Sequence, residues 1–237
     1  MRLIVKADAQ GAAGSAADEV ARACRTAVAE RGRALIAFSG GTTPWLMLGA
    51  LRDLDVPWNV VHVAQVDERV APPGDALRNL TRLEEILVRT GPLPARQLWP
   101  MPVNDEPLAV AAASYQSALE AEFGAPLCFD LVQLGLGADG HTASLVPGDP
   151  VLDVTDRDVA LAASYQGTTR MTLTFPALSR ARGRLWLVTG AAKAERLQQL
   201  LAGAAGAPAG RVSREHATAI ADAAAAPSPG LRPTSRA

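Results

Sequence analysis

Residues 134 to 148, LGLGADGHTASLVPG, follow an apolar run and place small residues at 135, 137, 138 and 140 around Asp139 and His141. A loop stripped of side chains lets backbone amides approach a ligand. Histidine is the side chain that exchanges protons near neutral pH, so His141 can act as a base toward water. A histidine that merely packs under a glycine turn is the blander reading. Asp139, Thr142 and Ser144 weaken it, because a carboxylate and two hydroxyls cluster there.

Three further stretches carry polar residues directly after apolar runs. In LIAFSGGTTPWLML, the residues Ser39, Gly40, Gly41, Thr42 and Thr43 lead into a helix with Pro44 in its first turn. Glycines, hydroxyls and the unpaired amides of a helix start together suit a phosphate, although a capped tight turn is the competing reading. Neither GxxxxGK[ST] nor GxGxxG is met. In VVHVAQVDERVAPPGD, the charges Asp67, Glu68 and Arg69 follow a buried run, and an arginine there can grip phosphate through two parallel hydrogen bonds. The same strand contains His62, read as a packed residue. The last group is basic: Arg170 opens RMTLTFPAL, and Lys193 lies in GAAKAERL. Lysine occurs only at Lys6 and Lys193, so Lys193 points to a need for a compact ammonium.

Side chains so far apart in sequence need a scaffold that gathers them. Short runs rich in Val, Ile and Leu alternate with segments of helical periodicity, which predicts βαβ units around a largely parallel sheet covered on both faces. Strands are expected near 3–6, 33–38, 60–66, 129–134, 158–163, 170–174 and 184–189. Helices are expected at AADEVARACRTAVAERG, PWLMLGALRDL, LTRLEEILVRT, LAVAAASYQSALEAEFG and AAKAERLQQLLAG. In such sheets ligands sit where the strands hand over to loops. One domain over 1–226 is expected, with 202–210 as an internal connector and 227–237 (from PSPGLRPTSRA) as a flexible tail.

The 237 residues carry a net charge of -1, which gives no field suited to nucleic acid or an anionic membrane. No segment reaches the ~18 apolar residues of a membrane span, and the N-terminal apolar run is short for a signal peptide. Cys24 and Cys128 have no CxxC spacing and read as thiols in a reducing, cytoplasmic setting.

Taken in order, FSGGTTP, DERVAP with Asn79 downstream, LGLGADGHTASLVPG, RMTLTFPAL and GAAKAE resemble the 6-phosphogluconolactonase family over roughly residues 30 to 225. The most specific part is GxGxDGHTASL, from Gly135 to Leu145. The resemblance implies a Rossmann-like, mostly parallel sheet of the kind shared with glucosamine-6-phosphate deaminases and ribose-5-phosphate isomerases. It also implies a cytoplasmic enzyme of the oxidative pentose phosphate pathway that hydrolyses 6-phospho-D-glucono-1,5-lactone without metal or organic cofactor. His141 is then the general base, with Asp139 beside it. Arg69 and Arg170 belong to the phosphate end, and Ser39, Gly40, Gly41, Thr42, Thr43, Asp67, Asn79, Gly137 and Lys193 complete the expected binding set. The small residues of the 135–140 loop read as clearance for a sugar ring, and its amides as donors to an oxyanion.

The chain departs from the family in having Arg78 before Asn79, where serine is usual, and Ala71 before Pro72, where valine is usual. Partners are expected to be limited to the phosphosugar lactone, with no nucleic acid and no membrane, in a monomer or weak homodimer. Two rival readings stand beside the lactonase. A deaminase or isomerase of phosphorylated amino sugars would carry a carboxylate five positions after the histidine, where this chain has Val146. A non-catalytic sugar-phosphate sensor would normally carry a DNA-binding segment, and no helix-turn-helix preface or basic face is seen.

Overall fold

The computed structural model describes residues 1–227. Its main sheet has seven strands, every neighbouring pair parallel. In chain order these are β1 (Arg2–Lys6), β2 (Ala34–Phe38), β3 (Val61–Gln65), β5 (Leu98–Trp99), β6 (Leu131–Leu134), β9 (Arg184–Val188) and β10 (Ala217–Asp222), arranged β1-β10-β9-β6-β2-β3-β5. A second, antiparallel sheet contains β4 (Asp67–Arg69), β7 (Val159–Tyr165) and β8 (Thr168–Leu173), with β8 in the middle. Helices are α1 (Ala9–Arg31), α2 (Thr42–Leu51), α3 (Asn79–Leu83), α4 (Leu108–Phe123), α5 (Phe175–Arg180), α6 (Ala194–Ala202) and α7 (Pro208–Arg211).

Strand residues alternate between two cores, as a period of two requires. Ala34, Ile36 and Phe38 of β2 face the side covered by α1 and α2, together with Leu185 and Leu187 of β9. Leu35, Ala37, Trp186 and Val188 face the other side, where α4, α5, α6 and the second sheet pack. Because both faces are buried, the central strands read as continuous apolar runs. The face of α1 is almost all alanine: Ala12, Ala13, Ala16, Ala17, Ala21 and Ala27, with Val20 and Cys24. Small side chains of this kind let a long helix lie close to the sheet and to α2.

The expected fold class is therefore present, and four features differ from the sequence expectation. The strands expected at 158–163 and 170–174 lie outside the parallel sheet and form the antiparallel one. The chain changes sheet at Val66, whose amide donates to Phe38 O in one sheet while its carbonyl accepts from Leu173 N at the edge of the other. The first helix begins at Ala9, seven residues before the periodic stretch. Asp8 caps it by accepting from Gly11 N at 2.8 Å, and the glycines at 11 and 14 had hidden the helical pattern. Finally, the connector expected over 202–210 already holds most of α7, and the chain beyond it supplies the buried strand β10, which inserts between β1 and β9. The tail expected over 227–237 lies, beyond Pro227, outside the described residues.

Candidate active site

Six chain segments meet at the carboxyl ends of β2, β3, β6 and β9, where they line a cleft of about 260 Å³. Its walls are Ser39 and Gly40 after β2, Asp67 and Arg69 of β4, Asn79 of α3, the loop Gly135–Leu136–Gly137 with His141 and Ala143, Arg170 of β8, and Lys193. A slightly larger cavity, about 350 Å³, lies elsewhere. Its charged lining is largely spent on internal ion pairs, among them Arg22–Glu19, Arg31–Asp130 and Arg182–Asp130.

The catalytic candidates sit on a loop sewn shut by its own polar groups. Gly137 N donates to His141 O at 2.9 Å, Gly140 N to Gly137 O at 3.0 Å, and Thr142 Oγ1 to Gly135 O at 2.9 Å. Ser144 Oγ donates to Asp67 Oδ2 at 2.6 Å, which joins the loop to β4. Thr142 and Ser144 are thus structural, and Ala143 faces the cleft between them, held in the left-handed region at φ 52°. Outside support comes from Arg196 Nε on Ala138 O and from Ala209 N on Gly140 O. Of the loop amides expected to serve an oxyanion, those of Gly137 and Gly140 are therefore spent inside the loop.

Asp139 Oδ1 lies 2.6 Å from His141 Nδ1 and also accepts from the His141 amide at 3.1 Å. Burial would raise the Asp139 carboxyl, but the His141 amide, the imidazole and the Tyr165 hydroxyl outweigh it and hold the carboxyl below its ordinary value. An ionised carboxylate can only accept, so Nδ1 carries the proton in a neutral imidazole and Nε2 keeps its lone pair. That is the arrangement of a base with an orienting partner. His62 packs at a sheet edge against Trp99 and Phe123, and His216 lies at the opposite end of β10. His141 is the histidine that lines the cleft.

Opposite the loop stands a wall of cations. Arg69 and Arg170 are direct cross-strand partners on β4 and β8. Like charges in that position repel, and the arrangement is stable when an anion lies between them. Arg69 Nη1 donates to Leu77 O and Asn79 Oδ1, whereas among the described residues Arg170 Nη2 reaches only Tyr165 O and its buried Nε has no partner. Burial pulls the Arg170 guanidinium below its ordinary value, with Asp67 partly offsetting this. Burial likewise lowers Lys193, against the opposing pull of Asp222. Two guanidiniums and an ammonium held partly out of water favour a multiply charged anion.

Not every expected binding residue reaches the cleft. Gly41 caps α2, and Thr42 and Thr43 are its first helical residues, with Thr43 Oγ1 2.6 Å from Thr189 Oγ1. Their position leaves the first-turn amides of α2 without helical acceptors. Gly40 has a stricter reason to be glycine: a Cβ there would lie 1.8 Å from Asn79 Oδ1, the atom that holds Arg69. Arg78 turns away from the cleft, donating to Asn104 Oδ1 at 2.7 Å and pairing with Glu68 at 3.6 Å.

Glu68 and Asp222 are supporting residues that the sequence reading left out of the expected binding set. Glu68, 0% exposed, accepts from Gln65 Nε2 and from the amides of Arg69, Asn79 and Leu80, so one carboxylate joins β3, β4 and the start of α3. Asp222 accepts from Gly190 N and Ala225 N and thereby ties β10 to the turn that presents Lys193. Substituting Glu68 by alanine leaves three amides without their acceptor and the buried Arg78 without its ionic partner. A loss of about 3–5 kcal/mol is expected in urea unfolding, and a loss under 1 kcal/mol would show that the network carries little.

The mostly parallel α/β fold thus brings a carboxylate–imidazole pair and three cationic side chains to one cleft. The model of the family glucosamine-6-phosphate isomerases/6-phosphogluconolactonase matches residues 7–221. The 6-phosphogluconolactonase of Rhizobium meliloti is 38% identical over 189 residues, 77% of this chain and 80% of the relative. That of a Synechocystis strain is 37% identical over 180 residues, 74% and 75% of the two chains. The crystal structure of the Thermotoga maritima 6-phosphogluconolactonase superposes with a TM-score of 0.82 at 25% identity, covering 93% of this chain and 98% of that one. The chain belongs to the glucosamine-6-phosphate isomerase/6-phosphogluconolactonase family.

Proposed function

We propose that the chain is a lactone hydrolase that converts 6-phospho-D-glucono-1,5-lactone to 6-phospho-D-gluconate, the hydrolytic step of the oxidative pentose phosphate pathway. The observation that carries this reading is one imidazole, oriented by a carboxylate at 2.6 Å, facing a cleft walled by Arg69, Arg170 and Lys193. The similarity to proteins named as 6-phosphogluconolactonases supports it.

His141 Nε2 takes a proton from water as the water oxygen bonds to C1, and Asp139 stabilises the imidazolium that results. The developing oxyanion is stabilised by the amides of Leu136, Ala138 or Asp139 and by the positive field of the cleft. Collapse breaks the bond from C1 to the ring oxygen, and the imidazolium returns the proton to that oxygen. The cations, with Ser39, Gly40 and the start of α2, fix the distant phosphate so that C1 meets the water. Asp67 and Asn79 hold Ser144 and Arg69 in place. A carboxylate at position 146 would favour amino-sugar deamination; Val146 supplies none.

The test generates the lactone in place with glucose-6-phosphate dehydrogenase and follows its disappearance. Acceleration well above spontaneous hydrolysis is expected, and Arg170→Met should raise KM about tenfold or more by removing a charge-assisted phosphate contact. No acceleration, with release of ammonia from glucosamine 6-phosphate, would replace this reading by the deaminase one.

A further inference from the structure

Tyr165 lies outside the cleft lining, yet it touches the groups at both ends of the proposed reaction. It closes the β7–β8 hairpin by pairing with Thr168 across Gln166 and Gly167, whose φ values of 54° and 82° are those of a tight two-residue turn. The strand register shifts between Ala162 and Tyr165, and irregularities of this kind re-aim a side chain. Here the aim is toward the loop of the dyad. The phenol donates to Asp139 Oδ2 at 3.3 Å, and its ring meets the His141 imidazole edge-on, with centroids 5.5 Å apart. On the other side, Arg170 stacks its guanidinium 5.1 Å from the same ring and donates to the Tyr165 carbonyl at 3.2 Å.

We infer that Tyr165 is a positioning residue that locks the Asp139–His141 dyad in register and ties it to the anion-binding Arg170. The inference rests on the proposed lactonase reading for its kinetic consequences, and on geometry alone for the contact itself. With Oδ1 held by His141 and Oδ2 by the phenol, the Asp139 carboxylate cannot rotate about its last bond, and the imidazole plane is fixed with it. The same ring is a platform for Arg170, so phosphate bound there sits on the element that orients the base. Burial and the Asp139 charge raise the phenol above its ordinary value, so it stays a donor at neutral pH.

Two variants separate hydroxyl from ring. Tyr165→Phe removes one hydrogen bond to a charged group, and kcat should fall about three- to tenfold while KM stays within about twofold. Tyr165→Leu also removes the platform, and KM should rise a further two- to fivefold or so. Phenylalanine should thus rescue KM but not kcat. A carbon-detected NMR titration of the Asp139 carboxyl reads the contact directly: in Tyr165→Phe its midpoint should move up, since a group that lowers it is gone. An unmoved midpoint overturns the inference, and so does a loss of kcat that only follows a lowered melting temperature. If the wild-type protein fails to hydrolyse the lactone, the functional reading falls, while the Asp139 titration still decides whether Tyr165 holds the dyad.

Discussion

His141→Ala should lower lactone turnover by about 100-fold or more at neutral pH, with KM changed only a few-fold. The asymmetry follows from the layout of the cleft. In the proposed reaction the imidazole moves protons, while Arg69, Arg170 and Lys193 supply the positive charge of the same cleft. Spontaneous hydrolysis must be subtracted, because a lactone opens in water unaided; near-wild-type turnover after that subtraction would remove His141 from the mechanism. Asp139→Asn tests the partner and should cost about tenfold or more, since an amide can present its NH₂ to Nδ1 and drive the proton onto Nε2. The Asp139 carboxyl lies below its ordinary value in the folded chain, so its interaction with His141 is complete above the usual carboxylate range. It is lost only as the pH falls through the depressed value. At neutral pH the wild-type dyad is therefore intact, and the loss in Asp139→Asn is one of geometry and charge.

Much of this site was legible because several of its pieces follow directly on apolar runs. FSGG, DER and GLGADGH follow apolar runs, and a buried parallel sheet collects such loops at one edge. What stayed hidden has physical causes. ATAIAD, the strand β10, is half alanine, which has weak strand preference, so Thr218 and Ile220 alone carry a β-branched signal for a strand buried at the centre of the order β1-β10-β9. Asp67-Glu68-Arg69 reads as a charged strand end, but pairing with β8 makes it a strand of its own and turns Glu68 inward to a network no local pattern encodes. Thr42 and Thr43 look like phosphate ligands in sequence, whereas one faces outward and the other meets Thr189 from a distant loop. Tyr165 was invisible for the same reason: its partners, at 139, 141 and 170, come together only through a hairpin register that sequence spacing does not reveal.

Gly137→Ala is expected to lower kcat about 100-fold while the chain still folds. The glycines of this loop read in sequence as clearance for a sugar ring, whereas in the folded chain Gly137 makes room for the dyad itself. A Cβ there would fall 2.2 Å from His141 Nδ1, 2.4 Å from His141 Cε1 and 2.5 Å from Asp139 Oδ1. The backbone has little freedom to retreat, because Gly137 N donates to His141 O in the same loop. Relief must come from the side chains, and the bond between Nδ1 and Oδ1 is the contact that lies in the way. One added methyl thus acts first on the dyad and not on the cationic side chains, so KM should change far less than kcat. Overpacking of this sort costs about 1–3 kcal/mol, visible as a lower melting temperature without loss of cooperative unfolding. Gly49→Ala is the matched control: its new methyl meets nothing within 4 Å inside α2, and stability should rise by about 0.5–1 kcal/mol with activity unchanged. Wild-type kcat in Gly137→Ala would mean that the imidazole works without Asp139 at hydrogen-bonding distance, and the pairing would lose its place in the mechanism.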